Sequence, residues 1–225
     1  MYFQAVKSAS PLESGYRILP ITLTQAVVAI AASLIVHRTG RYLELIWIGA
    51  TLLALGNGLY IYLDAASPLG AVIAFQIVAA TGAGLLFQPP LIALQALVPP
   101  QKTAAATATL GLIRNLSTSI AIVVGQAIFS SGMDSRRSNL LEQGLPENLA
   151  DSFSGSSAAG NVLLVNTVSD HKLRIAIKEA FANSLKGVWI LCTCTSVCAV
   201  IASAFVSRQV LSKVHVEHRT GLGNV

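Results

Sequence analysis

Long apolar stretches alternate with short polar segments along the whole chain. The stretches are almost free of charge and cover residues 18–36, 43–63, 69–98, 103–130 and 186–207. At a helical rise of about 1.5 Å per residue, roughly 20 residues cross a hydrocarbon layer about 30 Å thick. A water-soluble helix is not apolar on every side over such a length. The pattern therefore predicts an all-α membrane protein with about five transmembrane helices.

The polar segments divide the chain into regions. Residues 1–17 are rich in turn-forming residues such as Pro11 and Gly15, and we expect a connector that follows a span outside the chain. Residues 18–130 are predicted to form a bundle of four spans. A long loop, a fifth span and a basic tail are predicted at residues 131–185, 186–207 and 208–225.

Two parts of the long loop have distinct patterns. Residues 152–160 consist mostly of Ser, Gly and Ala, which is typical of a flexible linker. Between residues 170 and 185 an apolar residue recurs at every fourth position, at Leu173, Ile177, Phe181 and Leu185. This spacing predicts an amphipathic helix over residues 170–185 that lies in the lipid headgroup region.

The third stretch contains two consecutive prolines, Pro89 and Pro90. Because proline has no N–H, carbonyl groups one turn earlier lose their partners, and in lipid such a kink needs neighbouring helices or water. On a helical period, small and polar residues fall on one stripe: Thr81, Gly84, Gln88 and Gln95. The stripe either faces a solvated substrate path or packs against a helix without binding a ligand.

Arg114 lies about ten residues into the fourth stretch, hence about 15 Å from its start. A cation at this depth costs a few kcal/mol unless it is paired or hydrated, and by default it marks a functional site. No acidic residue of the spans lies at this depth, so we expect its partner to be a glutamine, a backbone carbonyl, water or a residue outside the chain. The alternative is a structural role in which Arg114 snorkels towards the cytoplasmic headgroups.

Other polar residues within the predicted spans are Gln25, Asn57 and Asn115. Each forms either a hydrogen bond between helices or, together with Gln88, Gln95 and Arg114, part of a solvated cavity. Small residues that let helices approach closely are predicted at six packing positions: Gly49, Gly56, Gly84, Ser117, Ala121 and Gly125.

The composition agrees with immersion in a lipid bilayer. Hydrophobic residues make up 53% of the chain, charged residues 11%, and the mean hydropathy is +0.65, whereas soluble domains carry about 25% charged residues. The net charge of +5 comes from scattered Lys and Arg, which does not indicate nucleic-acid binding. The sequence shows no nucleophile–base set, carboxylate pair, phosphate loop or metal-ligand set, so we expect neither an enzyme nor a metal or cofactor.

Basic residues in short connectors indicate the orientation. Arg38, Gly40 and Arg41 form a tight turn after the first span, and further basic residues lie at Lys102 and in the tail. Short loops rich in Lys and Arg face the cytoplasm. The turn and the C-terminus are therefore predicted to be cytoplasmic, and the connector at residues 1–17 and the long loop to be extracellular.

Several motifs together resemble a known family. They are residues 2–20, HRTGRY at 37–42, GAGLLFQPPLIALQA at 82–96, IRNLSTS at 113–119 and the long polar loop before the last span. These residues resemble fungal transporters of the major facilitator superfamily, of the fourteen-span drug:proton antiporter type. The resemblance extends over nearly the whole chain.

This resemblance implies proton-coupled efflux of small apolar or amphipathic compounds, such as drugs or fungal secondary metabolites, at the plasma membrane. Such transporters hold the substrate between two six-helix halves. The chain resembles only the last five spans, so we expect a C-terminal half whose partners are the lipid bilayer, the substrate, protons and the missing N-terminal half. Because one half cannot rock against a partner that it lacks, transport by this chain alone is not expected. The alternative function is a non-transporting membrane interaction protein that associates with a full-length transporter.

Overall fold

The structure is a computed structural model that describes residues 1–206. Helices account for most of this range, which contains no strand. The α-helices are α1 (Tyr2–Ala5), α2 (Pro11–Thr39), α3 (Leu43–Tyr60), α4 (Leu69–Leu85), α5 (Pro89–Leu97), α6 (Thr103–Glu142), α7 (Glu147–Ser152), α8 (Ser157–Gly160) and α9 (His171–Ser203). Short 3₁₀ turns lie at Pro100–Lys102 and Val162–Thr167. The predicted basic tail at residues 208–225 lies outside the described residues.

Five helical segments within residues 1–206 are long and apolar enough to cross a membrane. They are α2, α3, α4 together with α5, α6 with the 3₁₀ turn before it, and α9. This finding confirms the predicted all-α membrane fold with about five spans.

The helix α2 begins inside the region that was predicted to be a connector. Ser10 Oγ accepts a hydrogen bond from the Glu13 backbone N–H at 3.1 Å, and the Glu13 carboxylate accepts one from the Ser10 N–H at 3.0 Å. Pro11 occupies the first turn, where its missing N–H costs nothing. The turn-forming residues therefore start this helix instead of preventing it.

Glycines allow α3 and α4 to pack closely. An ideal Cβ on Gly56 would lie 2.5 Å from Ala79 Cα, and Gly49 is similarly crowded by α4. From the opposite helix, a Cβ on Gly82 would lie 2.3 Å from the backbone N of Leu53. Such close backbone approach is typical of membrane helices. Gly49 and Gly56 thus lie at a helix–helix contact, and Gly82 is a third such position that the sequence analysis did not single out.

Replacing Gly82 with alanine is expected to destabilise the protein by about 1–3 kcal/mol, the usual cost of overpacking. The added methyl group would collide with the backbone of Leu53, which cannot move aside as a flexible side chain would. Thermal unfolding in detergent measures the effect. Gly111→Ala in α6 is the matched control, because nothing lies within 4 Å of a Cβ there and alanine favours a helix. Equal melting temperatures of the two variants would contradict the close α3–α4 contact.

The long helices pack in a defined order. The helix α2 packs on α4, α4 on α3, α3 on α9, and α9 on α6. A Cβ on Gly84 would lie 2.8 Å from the Gln25 carbonyl oxygen, so this predicted packing position lies at the α2–α4 contact. The helix α5 contacts both α2 and α6, so each of the two helices at the ends of the row contacts the second half of this broken span.

Residues 129–182 form a compact cap at one end of the bundle. Its buried core includes Phe129, Met133, Leu140, Phe153, Val165, Ile177 and Phe181. The Phe181 ring centroid lies 5.8 Å from that of Phe129 and 6.0 Å from that of Phe153, separations typical of favourable aromatic pairs. Outside this core, Arg137 binds the Asp151 carboxylate at 2.6 Å. The cap is therefore a packed unit and not an unstructured loop.

Two expectations for the long loop are corrected by this cap. Residues 152–160, predicted to be a flexible linker, include α8 and the fully buried Phe153 and Ala158. The helix predicted over residues 170–185 is present as the start of α9, which continues into the last span. Its apolar face is covered by the cap and not by lipid headgroups, since Ile177 and Phe181 are both 0% exposed in the cap core.

The middle of α6 is largely exposed, and within residues 111–124 the Arg114 side chain contacts Phe87, between α4 and α5. Each residue from Gly111 to Val124 is exposed, so apart from the Arg114 side chain this segment faces lipid, water or another polypeptide. Gly125 is close to α9, because a Cβ there would lie 3.6 Å from Val188 Cγ1. Ser117 and Ala121 stay exposed, and their predicted packing role remains a prediction for a partner outside residues 1–206.

Candidate functional site

The candidate site begins at the break between α4 and α5. The helix α4 ends at Leu85, Pro89 and Pro90 start α5, and Gln88 lies at the N-cap position between them. The Phe87 N–H still donates to the Gly84 carbonyl at 3.2 Å. Because neither proline has an N–H, the helical ladder is interrupted here, and the carbonyl groups at the break need hydrogen-bond donors from elsewhere in the protein or from water.

Arg114 of α6 supplies one such donor. Its Nη2 donates a hydrogen bond to the Phe87 carbonyl oxygen at 3.3 Å, and the guanidinium carbon lies 4.9 Å from the centroid of the Phe87 ring. Both interactions stabilise a cation in a weakly polar environment. A guanidinium has five N–H donors, and one of them is used in this bond. The structure therefore places Arg114 at the proline break, and its other donors have no partner among residues 1–206.

Gln95 and Thr107 form a second polar contact between α5 and α6. The Gln95 amide nitrogen donates to Thr107 Oγ1 at 3.1 Å. Gln88 and Gln95 both belong to this hairpin with Arg114, while Asn115 is exposed one residue further along α6. The structure thus brings three of the predicted path residues to one side of the bundle. Phe87 and Thr107 were not singled out from the sequence, because an aromatic ring and a hydroxyl are unremarkable in an apolar span.

The exposed segment of α6 has a polar and an apolar face. At about 100° per residue, Arg114, Ser117, Thr118 and Ala121 lie on one face. The opposite face carries Leu112, Leu116 and Val123, together with Ser119, whose hydroxyl donates to the Asn115 carbonyl of the same helix. An all-lipid environment would not require this division. The small residues Ser117 and Ala121 lie on the same face as Arg114. This face is therefore the one suited to water, a polar ligand or a partner.

The remaining predicted polar residues lie elsewhere. Asn57 Nδ2 of α3 donates to Ser196 Oγ of α9 at 2.8 Å, which is a contact between two helices. Gln25 is partly buried on α2 beside Gly84. Gln76, which was not predicted, is 3% exposed, and its Oε1 is buried without a hydrogen-bond partner among the described residues. The polar residues of the spans therefore form separate groups and not a single cavity.

The Asn57–Ser196 hydrogen bond is expected to contribute about 0.6 kcal/mol, the mean for side-chain pairs between membrane helices. A double-mutant cycle of Asn57→Ala and Ser196→Ala, followed by unfolding in detergent, measures this coupling energy. Full additivity of the two substitutions would contradict an energetic contact between α3 and α9 at this point.

The predicted basic turn lies at the end of the bundle away from the cap. Gly40 ends α2 with a φ of 71°, a left-handed conformation that glycine adopts without strain. Arg41 Nε lies 3.1 Å from a Glu44 carboxylate oxygen, whereas Arg38 is exposed. Val36 and Tyr42, on either side of this turn, belong to one buried apolar cluster and pack the turn against the bundle.

The cap end carries a different set of charges. Lys186 of α9 forms an ion pair with Asp64 in the α3–α4 connector, and Lys7 donates to two backbone carbonyls of this connector at 2.7 and 2.6 Å. Burial lowers the pKa of Lys7, and the positive charges of Lys178 and Arg17 lower it further. These contacts join the N-terminal segment and α9 to the connector. Within residues 1–206 no three His, Cys, Asp or Glu side chains are grouped so that they could hold a metal ion.

Comparison with curated proteins finds fungal transporters. The chain is 36% identical over 222 residues to the MFS-type transporter ppz2 of Metarhizium majus. The alignment covers 99% of the chain and 38% of that protein. It is 32% identical over 222 residues to the efflux pump dotC of Dothistroma septosporum, again over 99% of the chain and 38% of the relative. An MFS-type transporter of Aspergillus terreus is 34% identical over 211 residues, which are 93% of the chain and 38% of that protein. No protein-family model and no solved structure matches the chain.

These matches agree with the architecture. The chain spans about 38% of the length of the relatives, and nearly all of it is covered. The five apolar spans within residues 1–206 suit an integral membrane protein. Over nearly its whole length the chain is therefore homologous to fungal MFS-type transporters and efflux pumps.

Proposed function

We propose that this chain is the C-terminal part of a secondary active transporter that exports small apolar or amphipathic compounds, such as drugs or secondary metabolites. The observation that carries the proposal is Arg114, a cation on the polar face of an exposed helical segment. Most of its donors have no partner among residues 1–206. Such a residue is costly in lipid and is kept where a path is solvated. Similarity to proteins named as efflux pumps supports the direction of transport.

The substrate path in this proposal follows the α5–α6 hairpin. Gln88, Gln95, Arg114 and Asn115 provide hydrogen-bonding groups, and the broken helix exposes backbone carbonyls beside them. Asn57 and Gln25 are partly buried on α3 and α2, apart from this hairpin, and are proposed to line another part of the path. Few polar groups beside a large apolar surface suit compounds that are themselves mostly apolar.

Coupling to protons, a plasma-membrane location and a cytoplasmic C-terminus complete the proposal. The carboxylates of residues 1–206 lie at the ends of the spans or in the cap, so we place the proton-carrying groups in the part of the carrier beyond this chain. A protonophore would then abolish efflux, because the proton gradient is the energy source. Efflux that persists after the gradient has collapsed would contradict proton coupling.

A chimera tests the proposed function. This chain replaces the matching 38% of the Metarhizium majus relative, and efflux of the amphipathic dye rhodamine 6G is followed in yeast cells. We expect the chimera to lower dye accumulation relative to cells without it. The 225-residue chain expressed alone is expected to have no effect, since the substrate lies between two halves. Correct membrane insertion of the chimera without export of this dye or of a panel of apolar fungal metabolites would contradict the proposal.

A non-transporting interaction protein is the second candidate function. The observation that favours it is the exposed seam of Ser117 and Ala121, which has the small residues that pack membrane helices. In this case the chain would co-purify with a full-length relative, and replacing Ala121 with leucine would abolish the association. A monomer in detergent that does not capture the relative would contradict this candidate.

A further inference from the structure

A cleft of about 590 Å³ lies between the first half of α9 and the connector that joins α3 to α4. This volume is within the usual range of sites for small molecules. Lys178 of α9 and Ala65 of the connector both line it. So do Val6 and Ala182, which are buried, and Ile175, which is 41% exposed. The cleft therefore combines a positive charge with an apolar lining.

Further cations lie close to this cleft. Besides Lys178 they are Lys7, Arg17 and Arg174, and none of the four forms an ion pair within residues 1–206. Arg174 lies about one helical turn before Lys178 on the same face of α9. Burial lowers the pKa of Lys7, and the positive charges of Lys178 and Arg17 lower it further. Because neighbouring like charges repel one another, an anion among these cations would be stabilised.

The carboxylates of this region do not balance the positive charges. Asp64 forms its ion pair with Lys186. Glu13 and Asp170 accept hydrogen bonds from backbone N–H groups and so cap α2 and α9. Glu179 is the one carboxylate that lines the cleft without an ion pair within residues 1–206. An excess of positive charge therefore remains beside the cleft.

Two of the cations also have hydrogen-bond donors to offer. Arg17 Nε is buried and has no hydrogen-bond partner within residues 1–206, and a buried donor without an acceptor is costly. The Lys7 ammonium has three N–H donors, of which two bind the carbonyl oxygens of Ala65 and Ser67. Donors on cations are suited to the oxygens of an anion such as a phosphate.

The cleft lies at the level where the spans end. The helix α3 ends at Tyr60 and α4 begins at Leu69, so the connector between them lies at the surface of the hydrocarbon layer. Tyr62 of this connector is 78% exposed, as is typical of aromatic residues at the headgroup level. Lys186, at the start of the predicted last span, is paired with the same connector through Asp64. The charged side of the cleft is therefore within reach of lipid headgroups.

We propose that this cleft binds the phosphate group of a negatively charged phospholipid, with Lys7, Arg17 and Lys178 around the phosphate oxygens. A free phosphate ion has the same charge chemistry, but it would leave the apolar lining of the cleft in contact with water. In a phospholipid, the glycerol and the first methylene groups cover this lining. The bound lipid joins α2, α9 and the connector at the base of the cap. The site lies apart from the substrate path and does not depend on the proposed function.

Lipid binding to the 225-residue chain in a mild detergent tests this site. Native mass spectrometry measures the affinities for phosphatidylglycerol and for phosphatidylcholine with the same acyl chains. Both lipids carry a phosphate, but phosphatidylcholine also carries its own cation and has no net charge. Phosphatidylglycerol is expected to bind at least about fivefold more tightly, the effect of one net charge beside a basic group at a membrane surface.

Lys178→Gln is expected to lower the affinity for phosphatidylglycerol at least about fivefold, because it removes one of the cations that face the phosphate. Arg174→Gln is a second variant, from which a loss in the same direction is expected. Lys172→Gln is the matched control, since Lys172 is an exposed lysine of the same helix that does not line the cleft. Its affinity for phosphatidylglycerol should be unchanged.

Equal affinities for the two lipids would overturn the proposal. So would an affinity for phosphatidylglycerol that neither Lys178→Gln nor Arg174→Gln lowers. If Lys178→Gln does not fold, Arg174→Gln decides the question with the same measurement. Inorganic phosphate in large excess, at constant ionic strength, is expected to leave the lipid bound. Displacement of phosphatidylglycerol by inorganic phosphate would show a site for a free ion and overturn the assignment to a lipid.

Discussion

Replacing Phe181 with alanine is expected to destabilise the cap by about 3–5 kcal/mol, the usual cost of removing a buried phenylalanine side chain. Phe181 is 0% exposed and packs against Phe129 and Phe153, so its removal leaves a cavity where three parts of the cap meet. Limited proteolysis of the reconstituted protein measures the effect, since cleavage between residues 143 and 170 requires the cap to open. The cleavage rate should rise at least about 100-fold, because it follows the population of the open form.

Phe205→Ala is the control for this prediction. Phe205 is the same type of residue but is 85% exposed, and its replacement should leave cleavage of the cap within about twofold of the original rate. A long loop without a core would be cleaved equally fast in both variants. That outcome would contradict the packed cap and restore the interpretation as a flexible linker.

Replacing Arg114 with glutamine is expected to reduce dye efflux by the chimera at least about tenfold, which corresponds to about 1.4 kcal/mol. Glutamine can still reach a carbonyl group, but it carries no charge and has fewer donors. Efflux is measured at equal amounts of chimera in the membrane, so that a defect in insertion is not counted as a defect in transport.

Arg38→Gln is the matched control for the loss of a guanidinium. Arg38 is exposed in the turn away from the cap, and efflux should stay within about twofold of the original rate. Normal efflux by the Arg114 variant would show that this residue only anchors α6 by snorkelling to the headgroups.

The spans could be predicted because lipid imposes a single requirement on the chain. A backbone in hydrocarbon must satisfy its own hydrogen bonds, so a long apolar stretch has few alternatives to a helix. This reasoning was incomplete at the start of α2. The turn-forming residues of this segment suggested irregular structure, but Ser10 and Glu13 cap the helix there and so extend it into the segment. The capping box was a signal present in the sequence.

The cap could not be predicted from the spacing of apolar residues alone. A repeat at every fourth position shows that one face of a helix is buried, but it does not show what buries it. Ile177 and Phe181 are covered by residues far away in the sequence, among them Phe129 and Val165. Phe153 was a local indication against a linker, because flexible linkers contain few large aromatic residues.

The candidate site was predicted in part. The positive charge of Arg114 and its depth in the fourth span indicated that it needed a partner, and a backbone carbonyl was among the expected partners. The sequence could not show that this carbonyl belongs to Phe87, since the choice depends on how α5 folds back along α6 after the turn at Pro100–Lys102. The sequence also could not show that Asn57 lies apart from the other polar residues, since this depends on its contact with Ser196 of the last span.

A cysteine scan of α6 from Gly111 to Val124 tests most directly whether the Arg114 face lines a solvated path. Each single-cysteine variant of the chimera, without the native cysteines, is treated with a membrane-impermeant maleimide. The account predicts labelling with a helical period, strong at the polar-face positions Ser117, Thr118 and Ala121 and absent at Leu112, Leu116 and Val123. Uniform protection of all these positions, or labelling that ignores the two faces, would contradict it.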